Sequence, residues 1–159
     1  MKTKILASLL GLATALVLSS CAITQHVRPA AQGTTIRKIY VHENPEIHMK
    51  GLVPEVVAQI RQLGFAADSY AGVIPAKAIH HMEITANWRW DMAMYLVYFR
   101  ASLLEDDVVL GVAEYDARMG GANMGKFGAT AEKIKPLLAK LLKDATREAP
   151  AGAVGVSAP

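Results

Sequence analysis

Between Ile79 and Asp116 apolar and polar residues alternate with a period of two, the repeat of an extended strand with one face buried and one face wet. In the first run Met82, Ile84, Ala86, Trp88 and Trp90 point one way, and His81, Glu83, Thr85, Asn87 and Arg89 point the other. Asp91 breaks it. The next run, Ala93 to Leu103, puts Tyr95, Val97, Phe99 and Leu103 on one face. Its second face carries Met94, Leu96 and Tyr98 before turning polar at Arg100 and Ser102. A strand apolar on both sides predicts a central, covered position or an interface. Glu105-Asp106-Asp107 marks a turn, and Val108 to Asp116 returns as a third strand.

Upstream the period changes. Arg37 to His42 is a short β-rich run that stops at Glu43-Asn44-Pro45, because proline drives the residue before it out of helical space. Val56, Val57, Ile60 and Leu63 form one stripe at helical spacing, with Pro54 and Glu55 in the first turn and Gly64 as a left-handed stop. Ser69 to Ile74 predicts a second strand, closed by Pro75. A last helix starts near Thr130 and carries Ile134, Leu137, Leu138, Leu141 and Leu142 on one side. Pro136 inside it predicts a kink or an irregular first turn, since it removes a backbone hydrogen bond at a cost of ~3 kcal/mol. Two one-striped helices can cover one face of one sheet. The fold class expected is therefore α+β: a two-layer sandwich with a mixed, mainly antiparallel sheet in the order βαβ-βββ-α, both helices on one face.

Composition matters most at the N-terminus. Lys2 and Lys4 precede an apolar run from Ile5 to Leu18, too short to span a bilayer comfortably, for which ~20 apolar residues are needed. Small residues at its exit complete the pattern of a signal peptide. Leu18-Ser19-Ser20-Cys21 resembles a bacterial lipobox, in which an aliphatic residue and two small ones precede the cysteine that becomes the acylated first residue. Cys21 is the chain's single cysteine, so the mature domain has no disulfide. Ala22 follows it where aspartate would signal inner-membrane retention, which by the Gram-negative sorting convention implies the outer membrane. Without residues 1–20 the formal charge of +3 falls to about +1, with both signs interspersed and no footprint for nucleic acid. The domain plan is a lipoprotein signal peptide at 1–20, a lipid-anchored tether at 21–35, a single α+β domain at 36–144 and a disordered tail at 145–159, rich in Ala, Gly and Pro.

A set of short motifs runs from Ile39 to Leu142: Glu43-Asn44-Pro45, Thr85-Ala86-Asn87-Trp88, Trp90-Asp91, Tyr95, Tyr115-Asp116-Ala117-Arg118, Gly120-Gly121, Asn123 and Lys126-Phe127. Together they resemble a family of small, uncharacterised Gram-negative bacterial lipoproteins. The resemblance implies a palmitate-bearing, lipid-anchored domain facing the periplasm from the outer membrane. It implies no activity.

Candidate chemistry gathers after the third strand. Gly120-Gly121-Ala122-Asn123-Met124-Gly125-Lys126 has the glycine and lysine spacing of a phosphate-binding loop, but Phe127 stands where that motif needs Ser or Thr for Mg²⁺. The plain reading is a loop with positive φ near Gly120, Gly121 and Gly125, and Phe127 plugging the core. The functional alternative is an anion or glycan held by loop N–H groups with Asp116, Arg118, Gly120, Gly121, Asn123 and Lys126, and Trp88 and Trp90 as a stacking platform. Asp116 and Arg118, two apart, share a face and can meet Asn87 and Arg89; a structural ion pair is the alternative. His42, His48, His80 and His81 suggest a metal, yet His80 and His81 point to opposite faces and no Cys or carboxylate pair completes a tetrahedral set. No Ser-His-Asp spacing, paired-carboxylate motif or nucleophile elbow is visible. The expectation is a non-enzymatic cell-envelope accessory or binding protein without cofactors or metal. Its partners would be the membrane through Cys21 and a homo-oligomer or envelope protein.

Overall fold

The computed structural model describes residues 22–148; the expected signal peptide, Cys21 and residues 149–159 lie outside the described residues. The fold is α+β, two layers deep. Among the described residues eight strands, β1 (Thr24–Arg28), β2 (Thr35–Ile36), β3 (Ile39–His42), β4 (Ala67–Tyr70), β5 (His80–Asp91), β6 (Ala93–Glu105), β7 (Val108–Asp116) and β8 (Thr146–Arg147), accompany two α-helices, α1 (Leu52–Gln62) and α2 (Thr130–Leu142). Six strands form one mixed sheet in the order β1-β7-β6-β5-β3-β4. Its antiparallel pairs are β1–β7, β7–β6 and β6–β5, and β3 runs parallel to both β5 and β4.

The alternation read from the sequence explains one face of this sheet. Ile39 and Val41, Met82, Ile84 and Ala86, Phe99, Ala101 and Leu103, and Ala113 and Tyr115 are all buried, under Val56 and Ile60 of α1 and Ile134, Leu137, Leu138 and Leu141 of α2. Each Leu or Ile fully buried there contributes about 1.5–3 kcal/mol. The opposite face is uncovered by helices. Register places Tyr70, His42, Glu83 and Ser102 in one row across it, and Asn87, Tyr98, Asp116 and Thr24 in another.

Five expectations change. Residues 24–28, expected within the tether, are an edge strand: Thr24 lies opposite Asp116 and Arg28 opposite Val112. In the expected tail, β8 pairs in parallel with β2, and Glu148 N–H donates to Ile36 C=O at 3.0 Å. Their polar side chains hide them, because an edge strand with exposed faces carries no apolar alternation. Pro136 does not split or delay the start of α2, which runs unbroken from Thr130 to Leu142. It sits on the exposed side, where water can solvate the carbonyl of Glu132 that it leaves without a helical partner.

The remaining two concern faces. The register of β5 with β6 shifts between Asn87, opposite Tyr98, and Trp88, opposite Leu96, so Val97 is an extra residue on β6. Such a bulge flips the side-chain parity beyond it. Leu96 therefore enters the core, and Met94 follows its parity opposite Trp90, so neither joins Tyr98 on an apolar outer face. Trp90 keeps the inward parity of Trp88 but lies beyond the helices' reach, and is 72% exposed.

Candidate functional site

The Gly-rich segment after β7 folds across the end of the sheet where β5 finishes and β6 begins. It turns twice: Gly120 N–H donates to Ala117 C=O at 2.9 Å and Asn123 N–H to Gly120 C=O at 2.7 Å. Asn123 Oδ1 then accepts the Gly125 N–H at 2.9 Å and opens a short 3₁₀ turn, Met124–Lys126. Gly121 and Gly128 take positive φ, but Gly120 and Gly125 do not. Those two glycines are needed for close approach instead. A Cβ on Gly120 would lie 2.9 Å from Ala117 O, and on either glycine 3.6 Å from the Ile23 side chain.

The charged residues of the segment are engaged with each other and with the sheet. Arg118 donates its backbone N–H at 2.8 Å and its Nε at 3.0 Å to Asp116, with a further Nη2 contact to the same carboxylate. Its guanidinium lies 4.7 Å from the Tyr98 ring centre. Hydrogen bonds from Arg118 hold the Asp116 carboxyl below the usual carboxylate range, against a smaller opposing effect of burial. Lys126, 6% exposed, donates Nζ to Asp91 Oδ2 and to Gly121 C=O, each at 2.5 Å. The same ammonium lies 5.2 Å from the ring centres of both Tyr95 and Phe127. Phe127 meets Tyr95 edge-on at 5.6 Å and so caps that ring; it is only half-buried and does not plug the core. Lys133, on the first turns of α2, donates Nζ to the Lys126 carbonyl, and burial pushes its pKa down.

Of the residues singled out in the sequence, Asp116, Arg118 and Asn87 meet around Tyr98, and Lys126, Asn123, Gly120 and Gly121 share the loop. Trp88 and Trp90 differ in exposure, Trp90 being 72% exposed. Trp88 is half-buried, donates Nε1–H to Thr130 Oγ1 at 3.3 Å, and lines a cavity of about 240 Å³ with Met49, Leu52 and Glu55. A second cavity of about 420 Å³ lies beneath the Glu43-Asn44-Pro45 loop, which Asn44 ties to β5 by donating Nδ2–H to Ile84 C=O at 3.1 Å.

Sequence reasoning missed two clusters. One is Lys126 with Asp91, which are 35 positions apart. The other lies on the open face, where Glu83 contacts His42 Nδ1 at 2.8 Å and accepts Tyr70 O–H at 3.2 Å while the His42 and Tyr70 rings stack at 5.0 Å. Burial and the Glu83 carboxylate push the Tyr70 phenol up to about 12. The alternation at Glu83 marked a wet face but gave no hint of its neighbours. His80 and His81 are both buried, and among the described residues no group of three or more His, Cys, Asp or Glu could hold a metal ion.

No family model and no curated protein matches this chain. Among solved structures it is similar to PelC from Paraburkholderia phytofirmans, a dodecamer seen in two space groups, one of them for a point variant. The identity is 15% and the TM-score 0.49, over 77% of this chain and 96% of that one.

Proposed function

We propose that this chain is a lipoprotein of the Gram-negative outer membrane, acylated at Cys21 and facing the periplasm, acting as an envelope accessory or binding domain and not as an enzyme. The observation that carries this reading is the position of the domain's first strand. Ile23 already packs against Gly120 and Gly125, and β1 begins at Thr24, so the folded domain starts within three residues of the lipobox cysteine. The domain would then be held close to the bilayer by two or three residues. The cations of the Gly-rich segment are bonded to Asp116, Asp91 and Gly121, which supports a structural role for that loop over the binding of an anion or glycan. Partner binding then falls to the open sheet face.

Replacing Cys21 with Ala is expected to leave the precursor unprocessed and unacylated and to remove the protein from the outer-membrane fraction. A Cys21→Ala protein that still matures and fractionates with that membrane would overturn the reading. For the loop, thermal-shift measurements with phosphate or muropeptides are expected to show no stabilisation of the wild-type domain. A clear rise that Arg118→Ala or Lys126→Ala abolishes would establish the ligand-binding alternative.

A further inference from the structure

Thr24, at the start of β1, lies opposite Asp116, at the end of β7. Ala22 therefore emerges at the end of the sheet that also holds the β5–β6 hairpin tip, where Asp91 pairs with Ala93. The Gly-rich segment sits at the same end. Lys126 ties it to Asp91, and Ile23 packs on it. This end displays five large apolar side chains: Trp90 (72% exposed), Met92 (83%), Met94 (53%), Met119 (68%) and Met124 (72%). Two nearby ion pairs, Lys126 with Asp91 and Arg118 with Asp116, carry no uncompensated charge that opposes burial of the rim, and exposed Arg89, opposite Tyr95, is a cation suited to phosphate headgroups.

The position of the anchor says what that medium is. Cys21 is peptide-bonded to Ala22, so their Cα atoms are ~3.8 Å apart. Three residues from Cys21 to Thr24 span at most about 11 Å, comparable to the ~5–10 Å depth at which amphipathic elements sit in the headgroup region. An acyl chain on Cys21 therefore brings this end of the domain to the lipid surface. Unbranched, adaptable methionines suit an irregular apolar boundary, and tryptophan prefers the interface itself. We propose that the rim of Trp90, Met92, Met94, Met119 and Met124 docks into the phospholipid surface of the leaflet that anchors Cys21, fixing the domain's orientation with the strands pointing away from the membrane. The proposal rests on the reading of Cys21 as acylated. Val108 and Val109, also exposed, start β7 at the opposite end of the meander and cannot reach the same surface.

The test uses the mature chain from Cys21, purified from the envelope, with its mass reporting acylation. If the mass shows no lipid, the anchor reading fails, and the same chain is then attached through its single thiol to a maleimide phospholipid, so that docking is still measured. In vesicles of mixed zwitterionic and anionic phospholipid, Trp90 fluorescence is isolated in Trp88→Phe, or as the difference between wild type and Trp90→Phe should Trp88→Phe misfold. The expected result is a blue shift, quenching by lipids brominated near the top of the acyl chain, and loss of quenching by aqueous iodide. Met92→Glu with Met124→Glu should reverse all three, and Val108→Glu none. Trp90 as accessible to iodide on vesicles as in lipid-free solution would overturn the proposal. So would shielding that develops without vesicles as protein concentration rises, since a second copy would then be the occupant.

Discussion

The sequence offers Arg118 a structural partner in Asp116 and Lys126 none, and the structure reverses their weight. Arg118 is on the surface beside Asp116, whereas Lys126 is buried between Asp91, Gly121 and two aromatic rings. Hydrogen bonds to a charged group contribute about 1.5–3 kcal/mol, and truncating Lys126 removes two of them. With roughly 4 °C per kcal/mol for a domain of this size, Lys126→Ala should lower the melting temperature by several degrees. Arg118→Ala should lower it much less, and calorimetry on the two variants checks the order. The Asp116 pair also has a pH signature. Because the folded carboxyl is held below its ordinary value, its contribution is present above about pH 3.9 and is lost as pH falls through the lowered folded value. Wild type and Asp116→Asn should therefore converge in melting temperature in acid and separate at neutral pH. On the open face, ultraviolet titration of Tyr70→Phe against wild type should remove a phenol that ionises near 12. The Asp116–Arg118 pair is legible in sequence as two neighbours on one segment, whereas the partners of Lys126 and Tyr70 are not, because each is brought in from another strand.

Elements were more legible than their neighbours. The meander of β5, β6 and β7, the helical stripes and the left-handed stop at Gly64, with φ of +87°, follow from local periodicity and backbone sterics. The bulge at Val97 does not, because one inserted residue leaves each half of β6 with a sound alternation while exchanging their faces. Nor does β1, whose TQHVR sequence is mostly exposed. Its presence has one local trace in Gly111. A Cβ there would come within 2.7 Å of Ala30 N, 2.8 Å of Leu141 Cδ1 and 2.9 Å of Arg28 O, where the chain leaving β1 crosses β7 and Ala30 N–H donates to Leu141 C=O at 2.8 Å. Two of those neighbours are backbone and cannot swing aside. Gly111→Ala is expected to destabilise by about 1–3 kcal/mol, and hydrogen exchange should localise the loosening to β1 and the end of α2. Pro136→Ala should act in the opposite sense. Alanine is favoured over proline by ~3 kcal/mol inside a helix, less roughly 0.4–1 kcal/mol for the freer unfolded chain, so a net gain in denaturant midpoint is expected.

At the scale of the whole molecule, the sequence carried the two layers and the placement of both helices on one face, since two narrow apolar stripes can cover no more. The lateral order of strands is set by long-range pairing and was not readable. In particular, the adjacency of β1 to β7 joins the beginning of the chain to its middle. That pairing has a mechanical consequence. The β1–β7 ladder runs through five residue pairs, starting at Thr24, and its hydrogen bonds lie across the strand direction. A pull on Ala22 along the axis of β1, resisted at the far end of β7, loads all five pairs at once in shear. The same pull applied at Arg28 perpendicular to the sheet would peel the pairs one at a time. Tension entering at the N-terminal end is thus shared across a sheet edge from the first residue, and the small domain can transmit force without unravelling from the point at which it is held.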